Sequence, residues 1–142
     1  MSHSQRVVSA ALAWLGTPYR HQASCIGAGC DCLGLVRGVW RELYGMEVEI
    51  VPPYAQFGRD KLGASLLLDA AKKHLITQGK TLENGHVLLF QLHKQIPPRH
   101  CGIMINQNQL IHAQERLGVV TINLHPGWRA KIHSTYSFPA KV

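Results

Sequence analysis

Acidic residues are scarce in this chain: eight Asp and Glu stand against fifteen Lys and Arg, a formal net charge of +7 with nine histidines counted as neutral. A surplus of that sign attracts polyanions such as nucleic acid, acidic lipid or an anionic cell wall, without choosing among them. Also missing is a dense basic stripe with stacking aromatics interleaved. Arg6, Arg20, Arg37, Arg41, Lys61, Lys72, Lys73, Lys94, Arg99, Arg116, Arg129 and Lys131 are scattered, so no specific nucleic-acid partner is expected. No segment approaches the about 20 continuous apolar residues that a spanning helix needs, so no membrane partner is expected. The opening MSHSQRVVSA lacks a basic start followed by an apolar run. On this reading there is no signal peptide and the chain is cytoplasmic as synthesised. Internal repeats, linkers and low-complexity tracts are absent as well.

What is present suffices for one ordinary domain over residues 1–142, because an apolar fraction of 46% supplies a core without disulfide staples. The four cysteines are at positions 25, 30, 32 and 101, three of them within eight residues. In a chain without a secretion signal they are expected to be reduced, which favours chemistry or metal binding over a disulfide framework.

Apolar residues from Ser4 to Leu15 recur at helical spacing, with Ser4 as N-cap and Gly16 and Pro18 ending the run. The segment GTPYRHQASCIGAGCD then reads as an irregular loop. CLGLVRGVWREL, from Cys32 to Leu43, places Leu35, Val36, Val39, Trp40 and Leu43 on one helical face, with Asp31 at the N-terminal boundary and Tyr44-Gly45 at the exit. After the connector Val51-Pro52-Pro53-Tyr54, a third helix is expected from about Gly63 to Gln78. Beyond Gly79, the runs His86 to Leu92, His100 to Asn106, Leu110 to Ala113 and Gly118 to Leu124 predict a small antiparallel sheet. Helices first and strands afterwards make an α+β domain rather than alternating βαβ units.

The chemistry points to Cys32. A thiol reacts as the thiolate, and the unpaired amides and dipole of a helix N-terminus favour the anion. Gly34 would keep the first turn slim enough for a substrate backbone, and the Cys32 amide is placed to help hold an oxyanion. A thiolate mechanism also needs a base and a group that orients it. His100 in RHCGIMI and His112 in LIHAQE supply these if their strands are neighbours. Taken singly each residue has a plainer explanation, since free cysteine is commonly buried and strand histidines are commonly packed or solvated. Cys25 and Cys30 read as loop thiols, and strand alternation sends Cys101 to the face opposite His100, into the core.

Four pieces in order carry a resemblance: Gly16-Thr17-Pro18-Tyr19, Asp31-Cys32-Leu33-Gly34-Leu35-Val36, His100-Cys101-Gly102-Ile103 and Ile111-His112-Ala113. The chain resembles the NlpC-type cell-wall peptidases, papain-like enzymes that cut peptidoglycan stem peptides, and GCDCLGLVRGVW is most similar to the branch found in phages and gene transfer agents. The resemblance implies a papain-like fold with the Cys32 helix packed on the sheet. It puts the nucleophile at Cys32, the base at His100 and the polar third member at His112, with Tyr19 and Asp31 as support for the nucleophile and its oxyanion. No cofactor and no metal are implied. The implied substrate is a peptidoglycan stem peptide, cut between D-glutamate and the diamino acid. Phage or gene-transfer-agent tail proteins are the implied partners, and wall access would come through the particle. Three features depart from the family pattern: Leu33 where a small serine is common, His86 after Gly85 where an aspartate is common, and a 20–30 loop without the usual tryptophan and paired glycines.

Three rivals remain. The same architecture serves amidases and acyltransferases acting on other acyl groups. Cys25, Cys30 and Cys32 with His21 or Cys101 form a zinc set on paper, although paired CxxC spacing is absent. An inert structural tail component of the same fold is the third.

Overall fold

The structure is a computed structural model that describes residues 1–49, 51–54 and 61–140. Its first helix, α1 (His3–Leu12), is capped by Ser2, two residues before the expected Ser4. Ser2 Oγ accepts from the Gln5 amide at 3.1 Å while Gln5 Oε1 accepts from the Ser2 amide at 2.8 Å, a reciprocal box that satisfies two otherwise orphaned donors. The helix also stops earlier than its periodicity suggests. Leu15 is exposed, whereas Trp14 turns inward against the next helix, α2 (Cys32–Tyr44). That approach needs Gly38, because a Cβ there would lie 2.0 Å from the Trp14 ring.

The segment between these helices is more ordered than its composition suggests. It folds into a ribbon of two short antiparallel strands, β1 (Ser24–Cys25) and β2 (Gly29–Cys30), and Tyr19 bridges to Cys30 in parallel. α2 itself runs as expected from the N-cap Asp31 to a left-handed Gly45. The third helix, α3 (Lys61–His74), ends four residues before the expected Gln78. There β-branched Ile76 and Thr77 leave the helical pattern as an edge strand, β3 (Ile76–Thr77), because sheet pairing outweighs the local period.

The sheet continues with β4 (Val87–Phe90), β5 (His100–Met104), β6 (Gln109–Gln114), β7 (Gly118–Asn123) and β8 (Ile132–Ser137). Its order is β3-β8-β4-β5-β6-β7, with every pair antiparallel. β8 was not expected from the sequence, and it inserts between β3 and β4. The short helix before it, α4 (Pro126–Arg129), was not expected either.

The two faces of the sheet bury different partners. Val87, Leu89, Cys101, Ile103, Ile111 and Ala113 pack with Val7, Leu35 and Val39 of the helices. Leu88, Phe90, Met104 and Leu110 form a second cluster with Leu124, Ile132 and the half-buried Trp128. With both faces covered, β4 is buried at all four positions, which is why it reads as a continuous apolar run rather than an alternating one.

Replacing Gly38 with Ala is expected to cost about 1–3 kcal/mol through overpacking against Trp14. Chemical denaturation of Gly38→Ala, Trp14→Leu and the double variant tests this. The double variant should lose less than the sum of the single changes.

Candidate active site

Asp31 organises the start of α2. Its Oδ1 accepts from the Gly34 amide at 2.7 Å, its Oδ2 accepts from the Gln22 amide at 2.7 Å, and the Tyr54 hydroxyl donates to Oδ2 as well. His21 Nδ1 lies 3.9 Å from the same oxygen and His21 Nε2 lies 2.6 Å from the Tyr54 carbonyl. One buried carboxylate thus ties together the loop, the helix and the connector. Burial first, and then the nearby Cys32 charge, push its pKa up, while the Tyr54, Gly34 and Gln22 hydrogen bonds oppose the shift.

Gly34 has a different reason from the one expected. A Cβ at this position would meet the Ala23 carbonyl oxygen at 1.9 Å, so the slim first turn accommodates the chain's own ribbon rather than a substrate.

Cys32 is the first residue of α2 and is half-buried. Its sulfur lies 3.9 Å from the Arg99 carbonyl. Cys101, wholly buried on β5, donates to the Cys32 carbonyl oxygen at 3.4 Å and is within hydrogen-bonding reach of the Cys32 sulfur. The Cys32 thiol is held well below the ordinary cysteine range. The Cys101 hydrogen bond lowers it most, and His100 adds a hydrogen bond and a charge, together outweighing burial.

His100 and His112 lie side by side, with His100 Nε2 2.7 Å from His112 Nδ1 and ring centroids 5.0 Å apart. Gly102 makes this possible. A side chain there would meet Leu110 at 2.5 Å and the His112 Cβ at 3.3 Å, so its absence opens a diagonal path between the rings. With Nε2 taken by His112, Nδ1 is the ring nitrogen left for the Cys32 sulfur. Burial, and then the charge of His100, lower the His112 pKa to about 4. A neutral His112 that accepts at Nδ1 carries its proton on Nε2, which has no hydrogen-bond partner among the described residues. Trp128 covers the pair, with its ring 5.7 Å from His112 and 6.1 Å from His100, and packs edge-on against Phe90 at 5.0 Å.

Tyr19 is half-buried beside α2. Its phenol is pushed up by burial and then by the charges of Cys32 and Asp31, so the hydroxyl stays protonated as a donor. All five expected residues, Tyr19, Asp31, Cys32, His100 and His112, therefore gather around the start of α2 and the adjoining ends of β5 and β6. Three neighbours were missed: Cys101, assigned only to the core, Tyr54 and Trp128. The Pro-Pro-Tyr connector and the HPGW turn carry no periodic signal that points at a site.

The zinc set does not assemble. Cys25 is exposed on the ribbon and Cys30 is buried, and no group of three or more His, Cys, Asp or Glu positioned to hold a metal ion occurs among the described residues. His86 is buried at the far end of β4 from His100, with Nδ1 2.9 Å from the Thr81 carbonyl.

Residues 16–136 match the NlpC/P60 family. The chain belongs to that family. It is 28% identical over 127 residues to the murein DD-endopeptidase MepS/murein LD-carboxypeptidase of Escherichia coli K12, an alignment covering 89% of this chain and 58% of that protein. The chain thus spans little more than half the length of that relative. The NlpC/P60 domain of the peptidoglycan hydrolase SagA superposes with a TM-score of 0.68 at 19% identity, covering 96% of this chain and all of that one. An NlpC/P60 protein of Bacillus cereus superposes with a TM-score of 0.69 at 16% identity, covering 96% of this chain and 40% of that one. These likenesses show the papain-like α+β fold of NlpC/P60 domains.

Two measurements follow from the electrostatics of this NlpC/P60 site. Alkylation of Cys32 by iodoacetamide should reach its plateau rate well below about pH 8.5, the ordinary thiol value. A rate that climbs through that value contradicts the geometry.

His112 affects stability with a fixed sign. Its pKa falls from 6.5 in the unfolded chain to about 4 in the fold, so the unfolded state binds more protons between those values. Its contribution is full above pH 6.5 and is lost as pH falls towards 4. Melting temperatures of wild type should drop more steeply over this window than those of His112→Gln.

Proposed function

We propose that this chain is a cysteine peptidase that hydrolyses peptidoglycan stem peptides between D-glutamate and the diamino acid. The observation that carries the reading is the half-buried Cys32 thiol at a helix N-terminus, its acidity raised by Cys101 and His100, with His100 held by His112 at 2.7 Å.

The mechanism uses each group where it stands. The Cys32 thiolate attacks the scissile carbonyl carbon. Asp31 occupies the Gly34 amide, so the first-turn amides of Cys32 and Leu33 remain to stabilise the oxyanion. His100 Nδ1 protonates the leaving amine, giving an acyl-enzyme, and then takes a proton from the water that releases the acyl group. Throughout, His100 Nε2–H donates to His112 Nδ1, which fixes the ring and the tautomer. Tyr19, kept protonated, is a donor beside the nucleophile.

Two names support the substrate class: the E. coli relative is a murein endopeptidase and SagA is a peptidoglycan hydrolase. The first also favours a second reading, since it is named for D,D-bond cleavage. The similarity of GCDCLGLVRGVW to the phage and gene-transfer-agent branch supports wall access inside a particle, with tail proteins as partners. Detection of the chain in purified particles tests that route, and its accumulation in the periplasm of uninfected cells argues against it.

Purified protein incubated with diaminopimelate-containing peptidoglycan should release stem-peptide fragments cut after D-glutamate, identified by mass spectrometry. Fragments cut at the D,D cross-link would select the second reading, and none from folded protein would point to another acyl substrate or an inert structural role. Cys32→Ala is expected to abolish release, and His100→Ala to lower kcat about 10²–10⁴-fold. His112→Ala should cost less, because nucleophile and base remain.

A further inference from the structure

One nucleophilic group near the site has no part in the mechanism above as attacking atom, base or oxyanion donor. Cys101 follows His100 in sequence but lies on the helix-facing side of β5, with no exposed surface. Its thiol donates to the Cys32 carbonyl oxygen at 3.4 Å, which sets the Cys101 side chain directly against the residue that carries the reactive thiol. The two side chains approach from different elements, the first residue of α2 and the second of β5. All four cysteines are free.

We propose that Cys32 and Cys101 are an oxidation pair, in which a hydroperoxide oxidises Cys32 and Cys101 then closes a disulfide that silences the site reversibly. The proposal rests on Cys32 being the reactive thiolate, but not on any particular substrate.

The two sites of exposure suit the order of events. Cys32 is half-buried and keeps some surface through which a small peroxide can approach, while Cys101 is sealed from solvent. In the first step the Cys32 thiolate attacks the distal peroxide oxygen. A sulfur–oxygen bond forms, the oxygen–oxygen bond breaks, and the alkoxide or hydroxide leaves and takes up a proton. Cys32 is now a sulfenic acid, oxidised by two electrons. In the second step the Cys101 sulfur attacks the Cys32 sulfur. The sulfur–sulfur bond forms, the sulfur–oxygen bond breaks, and the hydroxyl leaves as water with the Cys101 proton. A dithiol reductant returns both thiols.

The electrostatics keep Cys101 quiet until it is needed. Its hydrogen bond to Cys32, its burial and the Cys32 negative charge all hold its thiol well above the ordinary range. Conversion of Cys32 to a neutral sulfenic acid removes that negative charge and makes the neighbouring sulfur electrophilic. Without such a partner, a sulfenic acid proceeds irreversibly to sulfinic and sulfonic acids. Cys25, exposed on β1, and Cys30, buried on β2, are the competing thiols.

The test exposes the whole purified chain to graded hydrogen peroxide, blocks free thiols, and reads intact mass and peptide map. Apart from the blocking groups, wild type should lose about 2 Da, yield a Cys32–Cys101 linked peptide, and recover a free Cys32 with dithiothreitol. Cys101→Ala and the better-filling Cys101→Val should instead gain about 32 or 48 Da on Cys32, which dithiothreitol does not reverse. Each variant's hydrolysis is compared with its own untreated rate. Wild type that accumulates sulfinic acid at the same dose as the variants overturns the proposal, as does a link from Cys32 to Cys25 or Cys30. The wild-type map decides even if both variants fail to fold. A linked peptide in a protein that hydrolyses no wall fragment would leave the pair standing and remove the peptidase reading. Hydrolysis without the link would do the reverse.

Discussion

A buried carboxylate must be surrounded by donors or it neutralises, and at the start of α2 that requirement falls on Asp31. Its donors come from the Gln22 amide, the Gly34 amide and the Tyr54 hydroxyl, on three separate segments. Satisfying one side chain therefore fixes the loop, the helix start and the connector against one another. Cys32 is the next residue, so the place of the proposed nucleophile follows from the place of its neighbour's hydrogen bonds. The arrangement has an electrostatic cost, because Asp31 and the Cys32 thiolate are like charges in close contact and each opposes the other's ionisation. Cys101 and His100 offset that cost from the sheet side. The site thus needs the helix end and β5 docked together before either sulfur chemistry is possible.

The sheet divides the work between its faces. Cys101 sits among the helix-facing residues, whereas His112 sits on the opposite face under Trp128. A ring in the middle of one face does not reach a thiol approaching from the other. His100 does because it is the first residue of β5, where the two faces meet. Burial under Trp128 then keeps His112 uncharged, and an uncharged partner can accept from His100 without competing for its proton.

Much of this was legible in the sequence because it is local. The α2 helix follows from its period and from Asp31 and Gly45 at its ends, and the strand bearing Ile103 and Met104 follows from its composition. The NlpC/P60 likeness resided in four short motifs whose order, rather than any one of them, is specific. What the sequence did not show is non-local. β8 has a mixed pattern of burial and forms a strand because β3 and β4 lie on either side of it. Ile76 continues a helical period yet pairs with Ser137. Gly34 looked like room for a substrate and is room for Ala23, a distinction that no one-dimensional pattern contains. Strand alternation placed Cys101 in the core correctly, but the core at that point begins at the Cys32 carbonyl.

The scarcity of acidic residues also gains meaning from where they are spent. Of the eight, Asp31 is buried at the site, Glu47 holds Arg37 and Arg41, and Glu49 holds Lys73 and His74. The exposed pairs contribute little to stability individually. Each such pair cancels one positive charge for every negative one, so the surplus of +7 persists and is carried on exposed residues such as Arg6, Lys72 and Lys131. A positive field of that kind raises the local concentration of an anionic polymer whatever its sequence, and it does so without any site built to hold it. Under the proposed function, this diffuse attraction would hold the chain near an anionic wall while the stem peptide is selected at Cys32.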